Sequence, residues 1–170
     1  AAICTACSAN VTAPEIAVAA ETEDMTYTPS TLLAQTLPEL SDALSAGEIT
    51  AIELVTAYQD RIETVDRNGP TLQSVLSVNP NALADAEASD ARRAAGEALG
   101  PLDGIPILLK DNIESLDPIA TTAGALALKD NVTGRDSPLV AGLRAQGAII
   151  LGKTNLSQWA NFRSNDSMSG

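Results

Sequence analysis

Histidine is absent from this chain of 170 residues, and cysteine and aromatic side chains are scarce. Without histidine, these residues cannot form a Ser-His-Asp triad, a Cys-His pair or a histidine-ligated metal site. Only 2% of the residues are aromatic, so the core must be built mainly from aliphatic side chains. No apolar stretch approaches the ~20 residues that a transmembrane helix needs, so the sequence predicts no membrane span.

Basic residues are also few, since 10 Lys and Arg accompany 22 Asp and Glu and give a net charge of −12. Proteins that bind nucleic acid present basic surface, so this composition argues against a nucleic-acid partner. The two cysteines, Cys4 and Cys7, have C-x-x-C spacing, but no second pair accompanies them. We predict no metal site and leave open whether these thiols are paired or modified.

Residues 1–35 are rich in Ala, Thr and Glu without a sustained period, which predicts a flexible leader. Its first ten residues resemble the end of an export signal, although a basic start and a long apolar run are absent. Export to the periplasm or the medium and a cytoplasmic location therefore both remain open. We predict that residues 36–170 form the ordered part of the chain.

Helix-start and helix-stop signals divide the ordered part. Two capping boxes of the form T-x-x-E begin at Thr36 and Thr50, and Gly47 ends the first helix. The predicted helices are 37–46, 51–67, 80–99 (capped by Asn79, with Pro80 in its first turn), 138–146 and a last one that Thr154 caps and that carries Trp159. The predicted strands are 72–78, 105–110 and 148–151. Alternating helices and apolar strands predict an α/β fold with a mixed, largely parallel sheet covered on both faces.

Lys110 directly follows the apolar residues 105–109, so we expect it at the inner end of a buried strand. Burial disfavours the charged form of an amine, and a buried lysine can therefore act as a general base near neutral pH. Since histidine is absent, Lys110 is the leading candidate for a hydrolytic base.

Three sequence blocks and their spacing closely resemble the amidase signature family. They are residues 100–111 (GPLDGIPILLKD), 121–124 (TTAG) and 151–161 (LGKTNLSQWAN). The resemblance covers residues 37–170 and implies an α/β/α sandwich that is incomplete in these residues. Within the family, residues 161–170 are most similar to bacterial peptide amidases, which implies a peptide amide or a related small amide as substrate.

The resemblance also implies the chemistry. Family members hydrolyse carboxamides with a Ser-Ser-Lys triad and no cofactor, and the family lysine corresponds to Lys110. Near it, we predict that Asp111 and Asn112 anchor the following loop by hydrogen bonds to backbone groups. Thr121, Thr122 and Gly124 are predicted either to shape the floor of the site or to form a simple turn. The residues that the resemblance places in the substrate cavity are Asn161, Phe162 and Arg163. Residues 152–155 are interpreted as structural, because Lys153 lacks the spacing of a phosphate-binding loop.

Both family serines lie in a Gly/Ser-rich segment downstream of the last block, and the 170 residues contain no such segment. The sequence therefore predicts that these residues are inactive alone and that their partner is the missing C-terminal part of the same polypeptide. One alternative is a protein similar to the amidotransferase subunit that acts on Glu-tRNA. Another is a non-catalytic remnant or binding module.

Overall fold

The computed structural model describes residues 29–161. The helices are α1 (Pro29–Leu32), α2 (Leu37–Ala46), α3 (Ala51–Arg61), α4 (Ala82–Ala94) and α5 (Pro138–Ala145), and a π-helical turn (Ile62–Arg67) continues α3. The strands are β1 (Val75–Val78), β2 (Pro106–Lys110) and β3 (Ile149–Thr154), with 3-10 turns at Leu126–Leu128 and Gln158–Asn161. Among the described residues, no helix has the length and apolar character needed to cross a membrane.

The two capping boxes begin α2 and α3 as predicted. The Glu39 carboxylate accepts a hydrogen bond from the Thr36 backbone N–H at 2.6 Å. At α3, Thr50 Oγ1 accepts from the Glu53 N–H at 3.1 Å, and the Glu53 carboxylate accepts from the Thr50 N–H at 2.8 Å. Helix α2 ends at Gly47, whose φ of 72° is a left-handed conformation that glycine adopts without strain. Both helix starts are confirmed.

Strand β1 begins three residues later than the predicted start at residue 72. The buried Asp66 carboxylate, at the end of the π-helical turn, accepts from the Ser74 N–H at 2.8 Å and the Val75 N–H at 3.1 Å. Gln73 has a positive φ of 52°. These contacts and this conformation keep the chain irregular until Val75.

Helix α4 ends at Ala94, whereas the sequence predicted a helix to residue 99. Gly96 has a φ of 75°, which breaks the helical path. Beyond it, the Leu99 N–H donates to the carboxylate of the fully buried Asp103 at 2.9 Å instead of to a helical carbonyl. A tertiary contact therefore replaces the last helical turn.

The three strands form one mixed sheet in the order β1-β3-β2. Strands β2 and β3 are parallel, and the connection between them passes through α5, while β1 pairs with β3 in the antiparallel sense. A Cβ atom on Gly152 would lie 2.2 Å from the Ser77 carbonyl oxygen, so only glycine permits this close approach of β1 to β3. The predicted mixed sheet is confirmed.

Helices cover both faces of this sheet. The larger apolar cluster joins α2, α3 and α4 to the strands and includes Leu44, Leu54 and Leu151. A second cluster on the other face joins Ile150 to Val140 of α5. Adjacent residues of a strand point to opposite faces, so β3 contributes to both clusters. This arrangement confirms the α/β sandwich that the sequence predicted.

Two further predictions concern the ends of the chain. Of the predicted leader 1–35, residues 1–28, with both cysteines, lie outside the described residues, and the described part contains α1 and the buried Leu32. The predicted helix capped by Thr154 is wrong, because β3 extends through Thr154. Trp159 lies instead in the last 3-10 turn, with a φ of 51°.

Candidate active site

The candidate site lies where the parallel strands β2 and β3 end. Lys110 pairs with Thr154 in the register of the two strands, so Asp111 and Asn155 begin the segments that leave the same edge of the sheet. Ligands of parallel α/β sheets bind outside the carboxyl ends of the strands. This edge therefore brings the predicted lysine to a typical binding position.

Lys110 is exposed, so the prediction that it is buried was wrong. Strand β2 is an edge strand among the described residues. Leu108, which lies two residues before Lys110 on the same face of β2, is partly exposed as well, at 36%. Lys110 Nζ donates a hydrogen bond to the Asn155 carbonyl oxygen at 2.8 Å. This contact directs the amine toward the end of β3.

Asp111 is 1% exposed and connects β2 to a more distant turn. Its carboxylate accepts from the Thr122 N–H at 3.2 Å and from the Thr122 hydroxyl. Its backbone carbonyl accepts from the Ala123 N–H at 2.9 Å. The predicted structural residues Asp111 and Thr122 are therefore in direct contact, whereas Asn112 is exposed.

Residues 122–124 form a tight turn packed against the segment that follows β3. Ala123 and Gly124 have φ values of 51° and 68°, and the Gly124 N–H donates to Thr122 Oγ1 at 3.1 Å. A Cβ on Gly124 would lie 2.9 Å from the Leu156 carbonyl oxygen, so a larger residue would push this segment away. The Trp159 N–H donates to the Ala123 carbonyl at 2.8 Å and holds the two segments together.

A groove with a volume of about 670 Å³ lies over this turn, and we call it the site groove. One wall comes from β1 and another from the first 3-10 turn. The lining combines apolar residues with polar and charged ones and includes Leu76, Ser77, Asp111, Thr122, Gly124, Leu126, Lys129, Asn155 and Gln158. Concave sites in which a few polar groups converge are typical of small-molecule binding.

Lys153 is the residue that the sequence analysis underrated. It lies on the central strand β3, its side chain is 0% exposed, and Nζ donates to the Ile113 carbonyl and to Thr121 Oγ1, the latter at 2.8 Å. Burial lowers the pKa of Lys153, and the nearby carboxylates, first that of Asp111, oppose this effect. Lys153 follows an apolar run, as Lys110 does. It is buried because β3 is the central strand of the described sheet and both of its faces are covered.

The loop from 111 to 137 carries most of these contacts, and we call it the site loop.

Of the predicted substrate-binding residues, Asn161 lies in the last 3-10 turn, and Phe162 and Arg163 lie outside the described residues. Within residues 29–161, no cluster of three or more acidic or thiol side chains could hold a metal ion.

The fold and the site together describe an α/β protein with a groove and a lysine at the carboxyl edge of its parallel strands. The amidase family model matches residues 53–169, so the chain belongs to the amidase family. It is 49% identical to the peptide amidase of Stenotrophomonas maltophilia, with a TM-score of 0.75 over 80% of this chain and 28% of that one.

Two curated relatives are similar at the sequence level. A putative amidase of Schizosaccharomyces pombe is 39% identical over 140 residues, or 82% of this chain and 24% of the relative. A glutamyl-tRNA(Gln) amidotransferase subunit of Moorella thermoacetica is 40% identical over 134 residues, or 79% of this chain and 27% of the relative. The chain thus spans about a quarter of the length of the relatives it matches.

Proposed function

We propose that this chain is part of an amidase that hydrolyses peptide amides or related small carboxamides with a Ser-Ser-Lys triad. The observation that carries the proposal is the position of Lys110 at the carboxyl edge of β2, beside the Asp111–Thr122 contact that forms part of the site groove. The similarity to the Stenotrophomonas peptide amidase supports the substrate class.

In this reaction Lys110 is the base. Its amine accepts a proton from a bridging serine, which accepts the proton of a second serine as that oxygen bonds to the amide carbonyl carbon. The C–N bond then breaks, the proton passes back to the leaving nitrogen, and water hydrolyses the acyl-serine. Backbone N–H groups stabilise the oxyanion, so no metal or organic cofactor is required.

Lys110 is exposed at the end of β2 among the described residues, so a serine on another segment can reach it. The burial that a neutral lysine base requires would therefore have to come from the remaining polypeptide. The hydrogen bond from Lys110 to the Asn155 carbonyl fixes the direction of the amine at 2.8 Å. We propose that the remaining polypeptide supplies both serines, since the matched residues make up only 24% and 27% of the two curated relatives.

The experiment that tests this function uses the full-length protein encoded in its source organism. We expect it to release ammonia from peptide C-terminal amides, and Lys110→Ala to lower kcat/KM by at least ~10³-fold, because loss of a general base and of its relay are combined. The control is Arg67→Ala, which removes an exposed side chain on the π-helical turn. A Lys110→Ala protein within tenfold of the wild type would contradict the role of Lys110.

A polypeptide restricted to these 170 residues should not turn over the same substrates, because it contains Lys110 without the Gly/Ser-rich segment. The measurement is ammonia release by the purified polypeptide at high concentration. Turnover that disappears in its Lys110→Ala variant would show that these residues contain a nucleophile of their own.

The second candidate function is that of an amidotransferase subunit, since the Moorella relative is 40% identical. That function predicts ammonia release from glutamine and transfer of it to Glu-tRNA, and little activity on peptide amides. The net charge of −12 disfavours direct contact with tRNA. Comparing glutamine with a peptide amide as substrate of the full-length protein distinguishes the two functions.

A further inference from the structure

Lys153 is a buried cation without a carboxylate in contact. It is the largest of the fully buried side chains, and none of the ion pairs among residues 29–161 includes it. A buried ammonium is costly to maintain unless its hydrogen bonds are used. Its two acceptors, Ile113 O and Thr121 Oγ1, both belong to the site loop.

Thr121 and Thr122 are held from two neighbouring strands by opposite charges. The ammonium of Lys153 on β3 donates to Thr121, and the carboxylate of Asp111, which follows β2, accepts from Thr122. The backbone of Thr121 is fixed further, because its N–H donates to the Asn131 carbonyl and its carbonyl accepts from the Asn131 amide, each at 2.9 Å. The position of residues 122–124 is therefore set by contacts to both β2 and β3.

The residue that these contacts place is strained. Ala123 has a φ of 51°, a left-handed conformation that residues other than glycine seldom adopt and that persists only when the surroundings impose it. Ala123 is 7% exposed, and it connects Thr122 to Gly124 along the site groove. The shape of this wall of the groove thus depends on the groups that hold Thr121 and Thr122.

We propose that Lys153 is a positioning residue, which acts through Thr121 to hold the turn 122–124 against the site groove. The inference rests on the proposed amide hydrolysis, because the turn matters to catalysis only if the substrate occupies this groove. Lys153 does not touch the substrate; it fixes the wall against which the substrate amide is placed.

The test is a double-mutant cycle on kcat/KM of the full-length protein, at a temperature where every variant is folded. Lys153→Met keeps the length of the side chain and removes the charge, and we expect a loss of about 100-fold, as for a small misplacement of reacting groups. Thr121→Val removes the acceptor and should cost on the order of tenfold. Since both changes break one contact, the double variant should lose about 100-fold and not about 1000-fold.

Two matched variants separate positioning from general destabilisation. Thr121→Ser keeps the hydroxyl and should remain near wild-type activity. Leu54→Ala removes a fully buried side chain of α3 that does not line the groove, and it should lower stability while kcat/KM of the folded protein is unchanged. Additive losses in the cycle, or a loss of kcat/KM in Leu54→Ala as large as in Lys153→Met, would overturn the inference.

Amide hydrogen exchange provides a readout that does not depend on activity. In Lys153→Met and in Thr121→Val, the N–H groups of Ala123 and Gly124 should exchange more than tenfold faster relative to those of β3 in the same protein. Unchanged exchange there would overturn the inference. If the wild type does not hydrolyse peptide amides, the proposed function fails, and the exchange data still decide whether Lys153 holds the turn.

Discussion

The helical layer, formed by α2, α3 and α4, and the site loop are stabilised in different ways. The buried residues of the helical layer are almost all apolar, and Ser89 is the buried polar one among those three helices. The site loop contains one short 3-10 turn, and its buried residues include Asp111, Asp117 and Thr121, whose side chains are all hydrogen-bonded. The first region depends on apolar area, and the second on specific hydrogen bonds.

This difference has a physical consequence for how each region tolerates change. Apolar burial is non-directional and depends on the area removed from water, so its cost follows the volume of the lost side chain. A buried hydrogen bond depends on distance and angle, and its loss leaves a partner unsatisfied. Variants in the helical layer should therefore change stability, and variants in the site loop should also change the groove.

The largest expected effect on stability is that of Leu54→Ala. Leu54 is 0% exposed in the larger apolar cluster, so truncation should lower the free energy of unfolding by ~2–5 kcal/mol. Urea denaturation of the full-length protein measures it. Ile52→Ala, at a position 40% exposed on the same helix, should cost less than ~1 kcal/mol. Equal losses of unfolding free energy in Leu54→Ala and Ile52→Ala would mean that buried apolar area does not account for the stability of the helical layer.

A smaller loss is expected from Asp117→Ala in the site loop. The Asp117 carboxylate accepts from Asn79 Nδ2 at 2.9 Å and from Arg144 Nη2 at 2.5 Å, and so joins the site loop to the end of β1 and to α5. Its removal leaves both donors without this acceptor and should cost ~2–3 kcal/mol. Asp117→Asn retains an acceptor oxygen, so it should recover part of this loss in the same denaturation measurement.

Asp103 tests the comparison from the other side, since it is a buried charge beneath the helical layer. Burial alone would raise the pKa of Asp103, but hydrogen bonds from Arg92, the Leu99 N–H and Ser89 outweigh it and lower the pKa below its usual value. A carboxyl with a lowered folded-state pKa contributes stability above the unfolded pKa of ~3.9, and loses it as the pH falls through the folded value.

Asp103→Asn should therefore cost ~1–2 kcal/mol at pH 7, and the difference from the wild type should shrink below pH ~4. The measurement is urea denaturation of both proteins between pH 7 and pH 3. A difference that stays constant, or grows, as the pH falls would mean that the charge of Asp103 does not stabilise the fold.

The smallest effect is expected at the surface of the site loop. Lys129 and Asp130 form an ion pair with side chains 64% and 80% exposed, so Asp130→Asn should change the free energy of unfolding by less than ~0.5 kcal/mol. Thermal or urea denaturation checks this. A loss of several kcal/mol in the free energy of unfolding would show that exposed charges also stabilise the site loop. The buried hydrogen bonds would then not be what distinguishes this loop from the helical layer.

The sequence could predict the helical layer because its signals are local. The capping box at Thr50 and the stop at Gly47 act within one helical turn, and both appear in the structure as expected. The predicted end of α4 is wrong although Gly96 is also a local stop signal, and the Leu99 N–H, which donates to Asp103, holds the following residues outside the helix. The late start of β1 was not predictable from a local signal, because the Asp66 carboxylate accepts from the Ser74 and Val75 N–H groups.

The site was predictable in part for a related reason. The family blocks identified Asp111, Thr122 and Gly124, and the structure brings these residues together at one edge of the sheet. The burial of the two lysines was not predictable, since both follow apolar runs. Lys110 is exposed and Lys153 is buried because β2 is an edge strand of the described sheet and β3 is the central one.

The strand order β1-β3-β2 also constrains how the chain folds. Among the described strands, β1 pairs only with β3, which follows it by roughly 70 residues, and the strand between them in sequence lies on the far side of β3. Pairing over such a separation is slow, because a long segment must be ordered before the contact forms. During synthesis at ~5–20 residues per second, β1 would leave the ribosome at least several seconds before its partner. Helices α2 and α3 can form in that interval, so they are available to shield the apolar side of β1 until β3 arrives.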